Sequence, residues 1–332
     1  MVWKAEELKQ IKRILVITLS NLGDVILTTP VITELRRRWP QAHMSVIVGD
    51  KAIDVLRRSS QINELIIYQK TSFLDRIRFV AHLSQSSYDL VIDLRHTLIP
   101  FFIGTRHRTS LLRKRVVMPK RQEHLDQLKA LELPGDNDPP AFEFYQAEDL
   151  LSAREKLHQK GIDEAAGYVV LAPGSRFIHK SWAADRFGEL ALRIYHEYGK
   201  RLVILGASSE QKAADAVIQF AGKACVDFCG QLPIWESAAM IAMSELVICN
   251  DSAIMHLAHA LSVPCVSLFG PTNPIKYGKH DAMNRVVRLE LPCSPCESAD
   301  CHISEKRKCL KDISVDRVYQ EVKKLLISHS RI

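Results

Sequence analysis

Residues 246–274 read LVICNDSAIMHLAHALSVPCVSLFGPTNP, and the order of residue types in this stretch sets the fold expected for the whole chain. Leu246–Cys249 is an apolar run too short for a helix, which reads as a buried parallel strand. Asn250, Asp251 and Ser252 supply helix-capping chemistry, and Ala253–Ala260 reads as the helix that follows. A second apolar run, Cys265–Phe269, stops at Gly270 and Pro271. A helix that starts at the carboxyl end of a buried strand points free N–H groups and a positive dipole end above the sheet, a place suited to phosphate or diphosphate. A carboxylate at Asp251 would repel that phosphate. It either caps the helix or accepts hydrogen bonds from sugar hydroxyls, and the second reading makes this a site for a phosphorylated sugar.

The alternation extends outward from this stretch. Ile14–Leu19 has a buried-strand pattern, Ser20–Asp24 is a tight polar turn, and Val25, Leu27, Val31, Ile32 and Leu35 recur at helical spacing as far as Trp39 and Pro40. Met44–Val48, Leu65–Tyr68 and Leu90–Asp93 read as further strands, with a helix over Phe73–Leu83. Leu133–Tyr145, rich in Pro, Gly and Asp, is the expected linker. Beyond it, Asp149–Gln159 reads as a helix, followed by strands over Tyr168–Ala172 and Leu202–Gly206. Helices are expected over Phe187–Tyr198, Glu210–Phe220, Ile234–Met243 and Val315–Leu326. The expected class is α/β, with two doubly wound Rossmann-like domains, 1–148 and 149–332, facing across a cleft.

A length of 332 residues suits two domains, and 47% hydrophobic with 25% charged residues suits a globular chain. No apolar run approaches the ~20 residues that span a bilayer. The polar start MVWKAEELKQIKR lacks the apolar core of a secretory signal, so the chain is expected in the cytoplasm. The net charge of +7 is unevenly placed. From Arg95 to Arg121 there is no Asp or Glu, while Arg95, Arg106, Arg108, Arg113, Lys114, Arg115, Lys120 and Arg121 all occur. Interleaved with Leu98–Ile103 and Leu111-Leu112, these cations suit an anionic, partly lipidic surface or a solvated basic face. Few aromatics accompany them, which argues against nucleic acid.

In a cytosolic chain the eight cysteines are not read as disulfides. Cys225, Cys229, Cys249 and Cys265 lie in or beside apolar runs and read as small buried hydrophobes. Cys293, Cys296, Cys301 and Cys309 crowd into PCSPCESADCHISEKRKC, with His302 among them. They read as ligands of a structural Zn2+ or as reduced surface thiols.

Several further residues can carry chemistry. Asp24 follows a parallel strand at a helix start, where a carboxylate acts as a cap, a dipole partner or a general base. In Ala172-Pro173-Gly174-Ser175-Arg176, Ser175 offers a hydroxyl and an N–H. Arg176 and Lys180 offer cations that neutralise a departing diphosphate. Glu210 stands shortly beyond a strand, where an acid reaches ribose hydroxyls. The G-x-G-x-x-G fingerprint is absent, which argues against a nicotinamide or flavin cofactor.

Taken in order, SNLGDVILTTPVITELRRRWP, LAPGSRFIHKSW, LVILGASSEQ and VICNDSAIMHLAHALSVPCVSLFGPTNP resemble the family 9 glycosyltransferases, the bacterial ADP-heptose:lipopolysaccharide heptosyltransferases. The CSPC tail looks like that of some members. The resemblance implies a GT-B fold and an inverting, metal-independent transfer of heptose from ADP-heptose to the inner core of lipopolysaccharide. The N-terminal domain would bind a Kdo-lipid A type acceptor at the cytoplasmic face of the inner membrane, and the C-terminal domain the nucleotide sugar. The base falls on Asp24, phosphate-binding groups on Ser175, Arg176 and Lys180, the ribose acid on Glu210, and an adenine contact on Leu232. The acid–hydroxyl–glycine turn falls on Asp251, Ser252 and Ala253, and a helix histidine on His256. Ala253 stands where the family usually has glycine, and Arg176 where a hydroxyl residue is often found. Arg95, Arg113, Lys114 and Arg115 are the expected acceptor-binding cations. No cofactor is implied for the transfer. The same motifs would serve a family member with another nucleotide sugar or a same-fold nucleotide-sugar epimerase. The basic segment alone would serve a lipid-binding protein without catalysis.

Overall fold

A computed structural model describes residues 11–69, 72–105, 107–110, 117–129 and 140–329. Arg106, Arg113, Lys114 and Arg115, with most of the expected linker, lie outside the described residues. The chain divides into two compact units, Met1–Phe144 and Tyr145–Ile332.

The first unit is built on five parallel strands: β1 (Arg13–Ile17), β2 (His43–Gly49), β3 (Glu64–Tyr68), β4 (Leu90–Asp93) and β5 (His107–Arg108), in the order β3-β2-β1-β4-β5. Strands covered on both faces need continuous apolar runs, and RILVI in β1 is one. Leu15 and Ile17 pack with Ile47, Val91 and the helix residue Leu83 on one face. β1 ends two residues sooner than its apolar run; the N–H of Thr18 makes a last ladder bond to the Ile47 carbonyl at 2.9 Å, and the Thr18 hydroxyl donates to the same oxygen at 2.8 Å.

The helix that follows, Leu22–Arg38, tolerates a buried proline in its interior. Pro30 has no N–H for the carbonyl of Ile26, one turn earlier. The Thr29 hydroxyl donates to that oxygen at 2.8 Å instead, so the carbonyl is not left bare. The chain passes from β1 outward to β2 and β3, then returns to β4 on the other side of β1. That reversal places the Ser20–Asp24 turn and the loop after β4 at one switch point, where Arg95 Nη1 donates to Ser20 Oγ at 3.4 Å.

The second unit has six parallel strands: β6 (Tyr168–Ala172), β7 (Arg201–Ile204), β8 (Cys225–Asp227), β9 (Leu246–Asn250), β10 (Cys265–Leu268) and β11 (Asn284–Val287). Their order is β11-β10-β9-β6-β7-β8. Val169, Leu171, Leu202, Ile204 and Ile248 form a core with Phe187 and Ile194 of the helix Ala184–Tyr198 and with Val318 and Val322 of Val315–His329. Trp182 meets Phe187 edge to face at 4.9 Å. Here too the chain reverses, from β6 out to β8 and back to β9 beside β6. The loops that leave β6 and β9 therefore stand next to each other at the carboxyl ends of the central strands, and these are the segments singled out in the sequence. Among the described residues no helix is long and apolar enough to cross a membrane.

Candidate active site

The carboxyl end of β9 carries Asn250, and Asp251 and Ser252 follow before the helix Ala253–Ala260. Ser252, not Asp251, holds the N-cap position, and its side chain makes no capping bond. Its hydroxyl oxygen is buried with no hydrogen-bond partner among the described residues. Asp251 instead accepts a hydrogen bond from Lys180 Nζ at 2.7 Å, with side-chain exposures of 6% and 25% for the acid and the lysine. The helix thus begins with amide groups that have no intrahelical acceptor, a lysine ammonium close by, and a carboxylate held to that ammonium. His256 is buried one turn further on, its ring 6.4 Å from that of Tyr277.

Lys180 arrives on the loop leaving β6. Ser175 is half-buried in that loop, and Arg176 is exposed with its guanidinium 5.4 Å from the Phe177 ring. Phe177 stacks on His179 at 5.5 Å, and partial burial together with the Lys180 charge holds the His179 imidazole below its usual pKa. The roots of the loop are tied down by Asn250, which the sequence marked only as capping chemistry. Its amide donates to the carbonyls of Pro173 and Gly174, at 2.7 and 3.3 Å, and its oxygen accepts from the Trp182 N–H at 2.9 Å.

Glu210 closes the turn after β7 by accepting the Ala207 N–H at 2.9 Å. Burial raises its carboxyl pKa, opposed by that backbone bond. Gly174 is required beside it, because a Cβ there would lie 2.5 Å from that of Glu210. The acid is therefore packed directly against the loop that carries Ser175. Leu232 is half-buried in the turn between β8 and the helix Ile234–Ala242, at the edge-strand end of the sheet.

In the first unit Asp24 lies in the first turn of the helix Leu22–Arg38, and Asn21 holds the N-cap position. The Asp24 carboxylate accepts from Asn21 Nδ2 at 2.9 Å, so it borders the turn without capping the helix. Arg95 follows a buried Asp93, which accepts the N–H groups of Arg95 and Thr97 at 2.9 and 2.6 Å.

The four tail cysteines line one cavity of about 60 Å³, together with His179 and His302. N–H groups of Arg307 and Ile303 stabilise the Cys301 thiolate and pull its pKa down. Burial and the charges of Cys296, Cys301 and Cys293 push that of Cys309 up. Among the described residues, however, no three His, Cys, Asp or Glu side chains are gathered so that they can hold a metal ion. What the tail visibly does is brace the loop that leaves β6: Arg307 Nη1 donates to the Ile178 carbonyl at 2.9 Å, and Trp182 Nε1 to that of Ile313 at 3.0 Å.

The model of glycosyltransferase family 9 (heptosyltransferase) matches residues 76–306. The chain belongs to glycosyltransferase family 9. The family 9 chain is 25% identical to lipopolysaccharide heptosyltransferase 2 of Escherichia coli K12 over 347 residues, covering 95% of this chain and 99% of that one. Among solved structures it superposes on the family 9 glycosyltransferase of Veillonella parvula with a TM-score of 0.80 at 24% identity, over 96% of this chain and 97% of that one. On Escherichia coli ADP-heptose lipopolysaccharide heptosyltransferase II the TM-score is 0.76 at 23% identity, over 96% and 99%. The two parallel-sheet units are those of the GT-B plan, and the family 9 chain is a glycosyltransferase.

Proposed function

We propose that the protein transfers heptose from ADP-heptose to the inner core of lipopolysaccharide, with inversion and with no metal taking part in the transfer. The observation that carries this reading is the Lys180–Asp251 pair at the N-terminus of the helix Ala253–Ala260, which combines a cation for diphosphate with an acid for sugar hydroxyls. An ammonium has three donors, so Lys180 can serve a phosphate oxygen while it still orients Asp251.

In the reaction the bond between the anomeric carbon and the ADP oxygen breaks as an acceptor hydroxyl oxygen bonds to that carbon. The hydroxyl has a pKa far above 7, so its proton must leave as the new bond forms, and Asp24 accepts it. The negative charge that gathers on the ADP is met by Lys180, by Arg176, and by the N–H groups and hydroxyl at Ser252. Glu210 accepts from the ribose hydroxyls, Leu232 contacts adenine, and His256 stands in the first turn of the helix that Ala253 opens. In this reading the first unit binds the acceptor through Arg95 and the segment Arg113, Lys114 and Arg115. The second unit, with Ser175 in its phosphate loop, binds the donor. The acceptor is a lipid A-linked core precursor, so the protein works in the cytoplasm as a peripheral protein of the inner membrane. A zinc ion held by Cys293, Cys296, Cys301 and Cys309 would be structural, with no part in the transfer.

Calorimetry with ADP and UDP tests the donor assignment. ADP should bind at least about tenfold more tightly, a difference of about 1.4 kcal/mol. Equal affinities would turn the reading toward another nucleotide sugar.

A further inference from the structure

We propose that Asn250 is a positioning residue for diphosphate binding, which turns the Gly174 and Ser175 N–H groups outward as an anion cradle. The inference rests on the donor site proposed above.

Asn250 is the last residue of β9, and its side chain is fully buried. Residue 172, the end of β6, pairs with Cys249 in the sheet register, so the Pro173 loop begins directly beside the Asn250 side chain. The carboxamide donates to two successive carbonyls, Pro173 at 2.7 Å and Gly174 at 3.3 Å. In a trans peptide the C=O and N–H point in opposite directions. Ser294-Pro295 is the cis peptide found among the described residues, so both peptides in question are trans. Holding the Pro173 carbonyl therefore aims the Gly174 N–H away from Asn250, and holding the Gly174 carbonyl does the same for Ser175. Neither N–H donates to a protein group among the described residues. Two neighbouring amides aimed the same way form a concavity that favours an anion.

The other end of the carboxamide accepts the Trp182 N–H at 2.9 Å. Pro173 and Trp182 bracket the loop that carries Ser175, Arg176 and Lys180, so one planar group fixes both of its roots. The task needs a donor and an acceptor side by side. Aspartate has the same shape, but it sets a carboxylate oxygen against two carbonyl oxygens, in surroundings that raise its pKa strongly. Once protonated, the acid again offers an O–H to a carbonyl and an oxygen to Trp182.

The test uses Asn250→Asp and Asn250→Ala in the full chain, with ADP and adenosine as probes and thermal unfolding as the folding control. At pH 8, ADP affinity of Asn250→Asp should fall about tenfold or more, while adenosine, which carries no phosphate, binds as it does to wild type. As pH is lowered, the deficit of Asn250→Asp relative to wild type should shrink, and that of Asn250→Ala should not. Wild type measured at each pH divides out the titration of Asp251, Lys180, Glu210 and ADP itself. Equal losses for ADP and adenosine would overturn the proposal in favour of a general structural role, as would an Asn250→Asp deficit that does not change with pH. Should Asn250→Ala fail to fold, the isosteric Asn250→Asp still decides. Absence of ADP binding to wild type would instead refute the donor-site reading on which the proposal stands.

Discussion

The Asp251 carboxylate is bonded to the Lys180 ammonium at 2.7 Å across the switch point of the second sheet, and it does not cap the helix whose start it adjoins. The two residues are 71 positions apart in the chain. Their pairing separates the two roles that a carboxylate at this place can have. In Lys180→Ala, ADP and ADP-heptose binding should both weaken about tenfold or more, because a cation on the diphosphate acts in ground and transition states alike. The variant also strands a buried carboxylate, at a cost of about 1–3 kcal/mol in stability. Adding Asp251→Asn should restore the stability without the affinity. Asp251→Asn alone should damage ADP-heptose binding far more than ADP binding. Calorimetry and thermal unfolding check all three variants, and unchanged ADP affinity in Lys180→Ala would remove the lysine from the site.

Much of this arrangement was legible in the chain. The stretch 246–274 read correctly as strand, turn and helix, and its second apolar run, Cys265–Phe269, holds β10, because parallel strands buried on both faces leave uninterrupted apolar runs. The alternation of such runs with helical spacings also predicted two parallel-sheet units. Short edge strands were not seen: β8 has only three residues and β5 two, too few for a period to register. The sequence also left Asp24 and Asp251 as possible caps. The structure puts Asn21 and Ser252 in those positions, since a cap is decided by backbone angles that neighbouring residue types do not fix. The bracing roles of Asn250, Gly174 and Arg307 carried no signal beyond capping chemistry for Asn250 and a turn for Gly174, because each acts on a segment tens of residues or more away. An amide that fastens Pro173 to Trp182 is unreadable until the strand order is known.

Asp24→Asn should keep the fold and the ADP affinity while kcat falls roughly a hundredfold or more, as loss of a general base requires. Asn21 donates to the present carboxylate at 2.9 Å, and the amide variant can rotate to keep that contact, so local structure should survive. Turnover near that of wild type would exclude Asp24 as the base.

Glu210 gives the site a pH signature. Its pKa is raised in the folded protein by burial, so the carboxylate form, proposed above to accept from ribose, is lost as pH falls through that raised value. ADP affinity relative to Glu210→Gln should therefore decline toward acid pH, with the titration of the nucleotide dividing out. In the free protein the sign is opposite. A raised folded pKa stabilises the protonated state, and stability relative to Glu210→Gln should drop as pH rises through the ordinary carboxylate range to the raised value. A ratio of affinities that is flat with pH would dissociate Glu210 from the ribose.

The cysteines should separate into two classes under iodoacetamide at neutral pH. Cys301, with its thiolate stabilised by backbone N–H groups, should label first and the other tail thiols next. Cys225 and Cys229, both pushed up to about 12 by burial, should stay protected with Cys249 and Cys265 until the chain unfolds. If the four tail thiols close around a structural zinc, one equivalent added beforehand would protect Cys293, Cys296, Cys301 and Cys309 together; if they are reduced surface thiols, zinc would leave their labelling unchanged. Peptide mass mapping reads both outcomes, and protection of only some of the four would refute a single four-thiol site.

The central claim is heptose transfer, and one measurement addresses it directly: the mass of truncated lipopolysaccharide core acceptors after incubation with the protein and ADP-heptose, chelator present. The account predicts that one of the acceptors gains a single heptose, that ADP is released in equal amount, and that Asp24→Asn slows both. No mass gain on any acceptor, or conversion of the nucleotide sugar without an acceptor, would contradict it.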